Sequence, residues 1–120
     1  MHEMSLVGNM LESVDRAVRK EGGGRVEVVH CRIGALSGVS IDALGFAFDV
    51  LSRGTVAEGG RLECERVELR TICRKCGEEY APDDVLLVCP SCGSRVEILA
   101  GREMEVDYIL MEDGRGERTS

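Results

Sequence analysis

CRKCGEEYAPDDVLLVCPSCG, residues 73–93, decides how the chain must be divided. Its cysteines, Cys73, Cys76, Cys89 and Cys92, follow the pattern Cys-x2-Cys-x12-Cys-x2-Cys. Two residues between cysteines let both sulfurs of a pair face one ion, and two such pairs complete a tetrahedron with Zn–S near ~2.3 Å. Gly77 and Gly93 each follow a pair, and glycine tolerates the positive φ that would turn backbone N–H groups toward the sulfurs. Those amides, with Arg74, Lys75 and Arg95, would offset the negative charge of four thiolates on Zn(II). No histidine stands among the ligands and no position is left open, so the pattern is that of a structural metal site and not a catalytic one. Iron in a rubredoxin-like site is the competing metal, and disulfides or free thiols are the ordinary alternative. A unit of roughly 28 residues, 71–98, is too small to fold without its ion.

Upstream, the chain alternates helix and strand. Residues 5–21 carry Leu6, Val7, Met10, Leu11, Val14, Ala17 and Val18 at helical spacing. Ser5 is the expected N-cap, Arg19 and Lys20 suit the last turn, and Gly22-Gly23-Gly24 ends the helix. RVEVVHCRI (25–33) reads as a strand, apolar on both faces and therefore central in its sheet. Ser40 caps a second expected helix, 41–53, with Ile41, Leu44, Ala47, Phe48 and Leu51 as its apolar positions. In LECERVELR the alternation slips between Cys64 and Val67, which predicts one strand, 62–70, with a bulge near Glu65-Arg66.

Downstream, EMEVDYILME (103–112) is the cleanest strand, with Met104, Val106, Tyr108 and Leu110 on one face. The polar 113–120 stretch should fray as a flexible tail. The expected fold is α/β (α+β): a small mixed sheet with two helices, built from residues 1–70 and completed by a strand within 99–112. A zinc-ribbon-like four-cysteine domain, 71–98, is inserted into it.

Composition narrows the function. The 120 residues match one ordinary domain, and the only aromatics are Phe46, Phe48, Tyr80 and Tyr108. A net charge of −7 counts against binding a phosphate backbone, which needs clustered Lys and Arg, so no nucleic-acid partner is expected. No apolar run approaches the ~20 residues of a membrane span. The amino terminus has neither the basic region nor the apolar stretch of a signal peptide. Six cysteines without an export signal point to the reducing cytoplasm, where thiols stay reduced or hold metal.

Other candidate residues have bland readings. Cys31 and Cys64, alone on their strands, read as small buried hydrophobes, with a pairing between them left open. His30 reads as a satisfied strand histidine, and Asp83-Asp84 as turn residues. Gly22–Gly24 follows a helix and lacks a Lys-Ser/Thr, so it is no phosphate loop. The carboxylates are abundant but unfocused, and no enzyme is expected. A Cys-x-x-Cys redox protein is disfavoured because two matched pairs make a closed site.

The opening stretch MHEMSL (1–6) raises separate chemistry. The terminal amine of Met1, the backbone nitrogen of His2 and its Nδ1 can close adjacent small chelate rings once the amide loses its proton. Nitrogen-rich square-planar or tetragonal sites suit Ni(II) and Cu(II). The backbone or carboxylate of Glu3, or a second imidazole, could add a ligand. On the residues alone, a loose chain end with an accidental histidine is the commoner situation.

From Met1 to about Leu110 the chain resembles the HypA/HybF family of hydrogenase nickel-incorporation proteins. The resemblance rests on MHEMSL, on RIGALSGVS (32–40), on ALGFAFDVL (43–51) with Gly54-Thr55, and on CRKCG and CPSCGS in that order. It implies a nickel-binding α/β domain beside a four-cysteine zinc domain. Ni(II) as cargo would be held at His2, with the adjoining backbone of Met1 and Glu3, and Zn(II) would be structural. Further implied are work with the GTPase HypB and delivery to the [NiFe]-hydrogenase large subunit, in some organisms also to urease. Extra histidines that some relatives carry near the zinc loop are missing here. The assembly is left open between monomer and homodimer. The rival reading is a zinc-ribbon adaptor or binding module that carries no nickel.

Overall fold

The structure is a computed structural model that describes residues 2–82 and 87–119 and, for His2, the backbone alone. Met1, the side chain of His2 and the expected turn residues Asp83 and Asp84 lie outside the described residues. The chain divides into two compact units. Unit 1 is Met1–Arg32, Val39–Glu65 and Glu105–Ser120; unit 2 is Ile33–Gly38 and Arg66–Met104. The second unit therefore extends past 71–98 on both sides and takes in the Ile33–Gly38 segment.

In unit 1, α1 runs His2–Lys20. It starts before Ser5, so Ser5 is not the cap but an exposed first-turn residue. The extra turn places Glu3 where a carboxylate favours the positive end of the helix dipole. Val7, Met10, Val14, Ala17 and Val18 form the buried stripe. At the other end Gly23 N–H donates to Val18 O at 2.9 Å, with Gly22 and Gly23 at φ 88° and 96°. Helix α2, Ile41–Leu51, is capped as expected: Ser40 Oγ accepts from Ala43 N–H at 3.2 Å. Leu44, Ala47 and Phe48 are its buried face, and α2 packs on α1. Fully burying each of Val7, Val14, Val18 and Leu44 contributes about 1.5–3 kcal/mol.

A four-stranded sheet completes unit 1. Its strands are β1 (Val26–Gly34), β2 (Arg61–Val67), β6 (Met104–Met111) and β7 (Gly116–Arg118), ordered β2-β1-β6-β7. Strand β1 is central, as its two apolar faces require. Glu27 and Cys31 of β1 meet Arg61 and Cys64, so β1 and β2 run parallel around α2. Residues 25, 30 and 32 meet 112, 107 and 105, so β1 and β6 run antiparallel. The sheet is mixed.

Two details of this sheet differ from the sequence reading. Strand β6 buries Val106, Ile109 and Met111, while Met104 and Leu110 are exposed. Its phase slips near Asp107-Tyr108, because both of these face His30. In place of a fraying tail, β7 pairs antiparallel with β6, Ile109 opposite Glu117. Asp113-Gly114 supplies the turn, with Gly114 at φ 91°. Arg115 then donates to the carbonyls of Glu21 and Gly23 at 2.6 and 2.8 Å, holding the end of α1.

Unit 2 is built on a three-stranded sheet, β4-β3-β5, from β3 (Arg70–Ile72), β4 (Glu79–Tyr80) and β5 (Glu97–Ala100). Both pairings are antiparallel. The single strand expected at 62–70 is thus two strands in different sheets. Its phase slip falls where the chain passes between units, after Glu65. Within unit 2, Gly34 N–H donates to Glu103 O and Leu36 N–H to Gly101 O, both at 2.7 Å. A Cβ on Gly34 would lie 2.1 Å from Gly101 O, so this crossing demands glycine.

Candidate metal centre

The four cysteines 73, 76, 89 and 92 come together in unit 2. Their sulfurs all lie within 4.8 Å of one another. Cys73 and Cys92 are 3.6 Å apart, Cys76 and Cys89 4.0 Å. A tetrahedral ion with metal–sulfur bonds of ~2.3 Å needs sulfurs ~3.8 Å apart. The donors present therefore fit such an ion, and four thiolates select soft or borderline metals.

The geometry comes from one local device used twice, sixteen positions apart. Gly77 N–H donates to Cys73 O at 2.6 Å, and Gly93 N–H to Cys89 O at 2.8 Å. Cys73 N–H donates to Glu78 O at 2.9 Å, and Cys89 N–H to Ser94 O at 2.7 Å. Gly77 and Gly93 sit at φ 77° and 74°, a conformation that side chains rarely adopt. Ile72 pairs with Glu79 beside the first knuckle, and Val88 bridges Arg95 beside the second. In each knuckle the first cysteine is buried and the second exposed.

The glycine amides thus close the turns onto carbonyls and do not reach the sulfurs. Other groups do. Cys76 N–H approaches Cys73 Sγ at 3.4 Å. The Ser94 hydroxyl, then its N–H, push the Cys92 thiol down to about 6. The Tyr80 hydroxyl, 3.1 Å from Cys89 Sγ, holds that thiol below its usual value, helped by the amides of Cys92 and Ser91. Its hydrogen bond with Cys92, with like sulfurs around it, pushes Cys76 up to about 12. A dication reverses that penalty, because metal binding removes the remaining protons. Arg74, expected to offset the thiolates, is instead paired with Glu97 at 2.8 Å. Sequence reading missed Tyr80 and Ser94. The adjacency of Ser94 to the second knuckle was a visible signal; Tyr80 reaches Cys89 only through the fold.

In unit 1, α1 begins at His2, and the first N–H groups of a helix have no acceptor within it. The Glu3 carboxylate accepts from Ser40 N–H at 3.2 Å. His30 lies on β1, half-buried. Its Nδ1 is 2.6 Å from Asp107 Oδ1, and its ring stacks on Tyr108 with centroids 4.5 Å apart. Cys31 and Cys64 lie side by side on β1 and β2, sulfurs 2.9 Å apart. Among the described residues, no helix is long and apolar enough to cross a membrane.

Comparison with known proteins agrees on one family. A family model described as HypA, hydrogenase/urease nickel incorporation, metallochaperone, matches residues 1–111. The chain is 44% identical to the hydrogenase maturation factor HypA of Roseiflexus sp. (strain RS-1), covering 100% of this chain and 99% of that one. The solution structure of a HypA protein superposes with a TM-score of 0.72 at 24% identity, over 92% of this chain and 96% of the other. The solution structure of the Ni metallochaperone HypA from Helicobacter pylori gives 0.69 at 23%, over 91% and 96%. At those identities the two structures bear on the fold alone.

Proposed function

The chain belongs to the HypA family of hydrogenase/urease nickel-incorporation metallochaperones, and from that premise we propose that it carries Ni(II) at its amino terminus and hands it over during [NiFe]-hydrogenase maturation. The nickel donors in this reading are the Met1 amine, the His2 amide nitrogen and its Nδ1, with Glu3 beside them. Zn(II) occupies the cluster of Cys73, Cys76, Cys89 and Cys92 as a structural ion. The protein works in the cytoplasm, is not itself an enzyme, and passes nickel with the GTPase HypB to the hydrogenase large subunit. Urease is a further acceptor class that the family description names.

The observation that carries the nickel reading is the start of α1 at His2. An amide that ligates Ni(II) must lose its proton. At the first position of a helix that proton serves no helical bond. The positive end of the dipole also favours the amide anion. Delivery then needs no deep pocket, since a partner's ligands must be able to reach the metal. Selectivity against Cu(II), which outranks Ni(II) on such donors, falls to the partner proteins.

Nickel titration of the zinc-loaded protein against His2→Ala tests this. Loss of nickel binding with zinc content and fold unchanged is expected. Unaltered nickel affinity in His2→Ala would refute it. Acid should also release nickel, because an imidazole ordinarily takes up a proton near pH ~6.5.

A further inference from the structure

The nickel and zinc readings leave the two cysteines of unit 1 unused. They sit 33 residues apart on neighbouring strands, with Sγ–Sγ 2.9 Å. Adjacent strands lie ~4.8 Å apart, inside the Cα separation a disulfide spans. Cys31 is fully buried and Cys64 only partly so, which leaves Cys64 as the sulfur an oxidant reaches.

We propose that Cys31 and Cys64 form a peroxide-reactive thiol pair, Cys64 as the attacking sulfur and Cys31 as the resolving one, closing a β1–β2 disulfide. The Cys64 thiolate attacks one oxygen of hydrogen peroxide. The S–O bond forms, the O–O bond breaks, and hydroxide leaves. The Cys31 sulfur then attacks Cys64 sulfur; the S–S bond forms and the S–O bond breaks. The departing hydroxide carries off the Cys31 proton as water. Two thiols are oxidised to one disulfide, and peroxide is reduced to water.

Local chemistry supports the roles. Cys31 S–H donates to Cys64 Sγ, and this bond, with His30 nearby, holds the Cys64 thiol below its usual value against partial burial. The same bond, then burial, push Cys31 well up. The thiolate is the nucleophile, so attack starts at Cys64. Of the charged or titratable groups nearby, His30 acts on Cys64 and Asp107 on Cys31. Asp107 and Glu65 both face His30, and Arg32 approaches Glu65 at 3.7 Å.

The test is an equimolar hydrogen peroxide pulse on the zinc-loaded wild-type chain. It is read by mass spectrometry of the Cys31 and Cys64 peptides and by colorimetric zinc release. Expected is a Cys31–Cys64 disulfide formed about tenfold or more faster than zinc is lost. Cys31→Ala should leave a Cys64 sulfenic acid that dimedone traps, while Cys64→Ser should leave Cys31 fully alkylatable after unfolding. Zinc lost before any disulfide forms, with both thiols still alkylatable, would overturn the proposal. So would a wild-type chain that accumulates a dimedone adduct on Cys64 in place of the disulfide.

Discussion

The Glu3 carboxylate, on the first turn of α1, accepts the backbone N–H of Ser40, the cap residue of α2, at 3.2 Å. Two helix starts are thereby tied together beside the proposed nickel donors. Glu3→Ala should lose about 1 kcal/mol of stability, the worth of one such bond. Chemical denaturation checks this, and Glu3→Gln, which keeps an acceptor oxygen, should lose less. Equal losses in both would mean the contact is not holding.

Removing one knuckle sulfur should act on one unit. Cys73→Ala is expected to lose the bound metal and the protection of backbone amides across β3, β4 and β5. The α1 and α2 amides should keep theirs, since they belong to unit 1. Hydrogen exchange resolves the two. A folded, fully metal-loaded Cys73→Ala would contradict the four-thiolate site.

Gly34→Ala should be severe although it adds one methyl. Its Cβ would fall 2.1 Å from Gly101 O and 2.6 Å from Arg102 N, backbone atoms that have no rotamer to change. A loss of about 3 kcal/mol or more is expected, at the upper end for overpacking. Gly8→Ala, whose Cβ would meet nothing within 4 Å beyond its chain neighbours and its own helix backbone, serves as the control and should be neutral or stabilising. Thermal melting of the pair decides.

The turn before β7 has a pH signature. Arg115 N–H donates to Asp113 Oδ1 at 3.1 Å and its Nε to Oδ2 at 2.7 Å, which hold this carboxyl below its usual range. With the folded value depressed, the unfolded chain binds more protons between the two values. The contribution is complete above the ordinary aspartate value near ~3.9 and is lost as pH falls through the folded value. A carbon-detected NMR titration should place the Asp113 carboxyl below an ordinary aspartate. An unshifted midpoint would mean that the turn is open.

What the sequence made legible was local. Cys-x2-Cys spacing, the following glycines and the Ser40 cap each act within a few residues, and each appears where the pattern put it. The misreadings arose where distant segments compete. Ser5 looked like a cap because nothing in the sequence announces that Glu3 will meet Ser40. The slip at Glu65-Arg66 was visible, but a bulge and a passage between sheets leave the same trace in one strand. Asp113-Gly114 was a turn signal whose partner strand is short and polar, so its alternation carried no apolar mark. The closeness of Cys31 to Cys64, and of His30 to Asp107, depends on strand order, which no single strand encodes.

The central claim is that the chain end itself, and not a side chain alone, is the nickel site. The most direct measurement is nickel titration of zinc-loaded protein beginning with a free Met1 amine, against the same protein with one residue added before Met1. Every side chain is intact in both. The account predicts that the extension weakens nickel binding by about tenfold or more, at least 1.4 kcal/mol, with zinc content unchanged. Equal nickel affinity in the two proteins would contradict it.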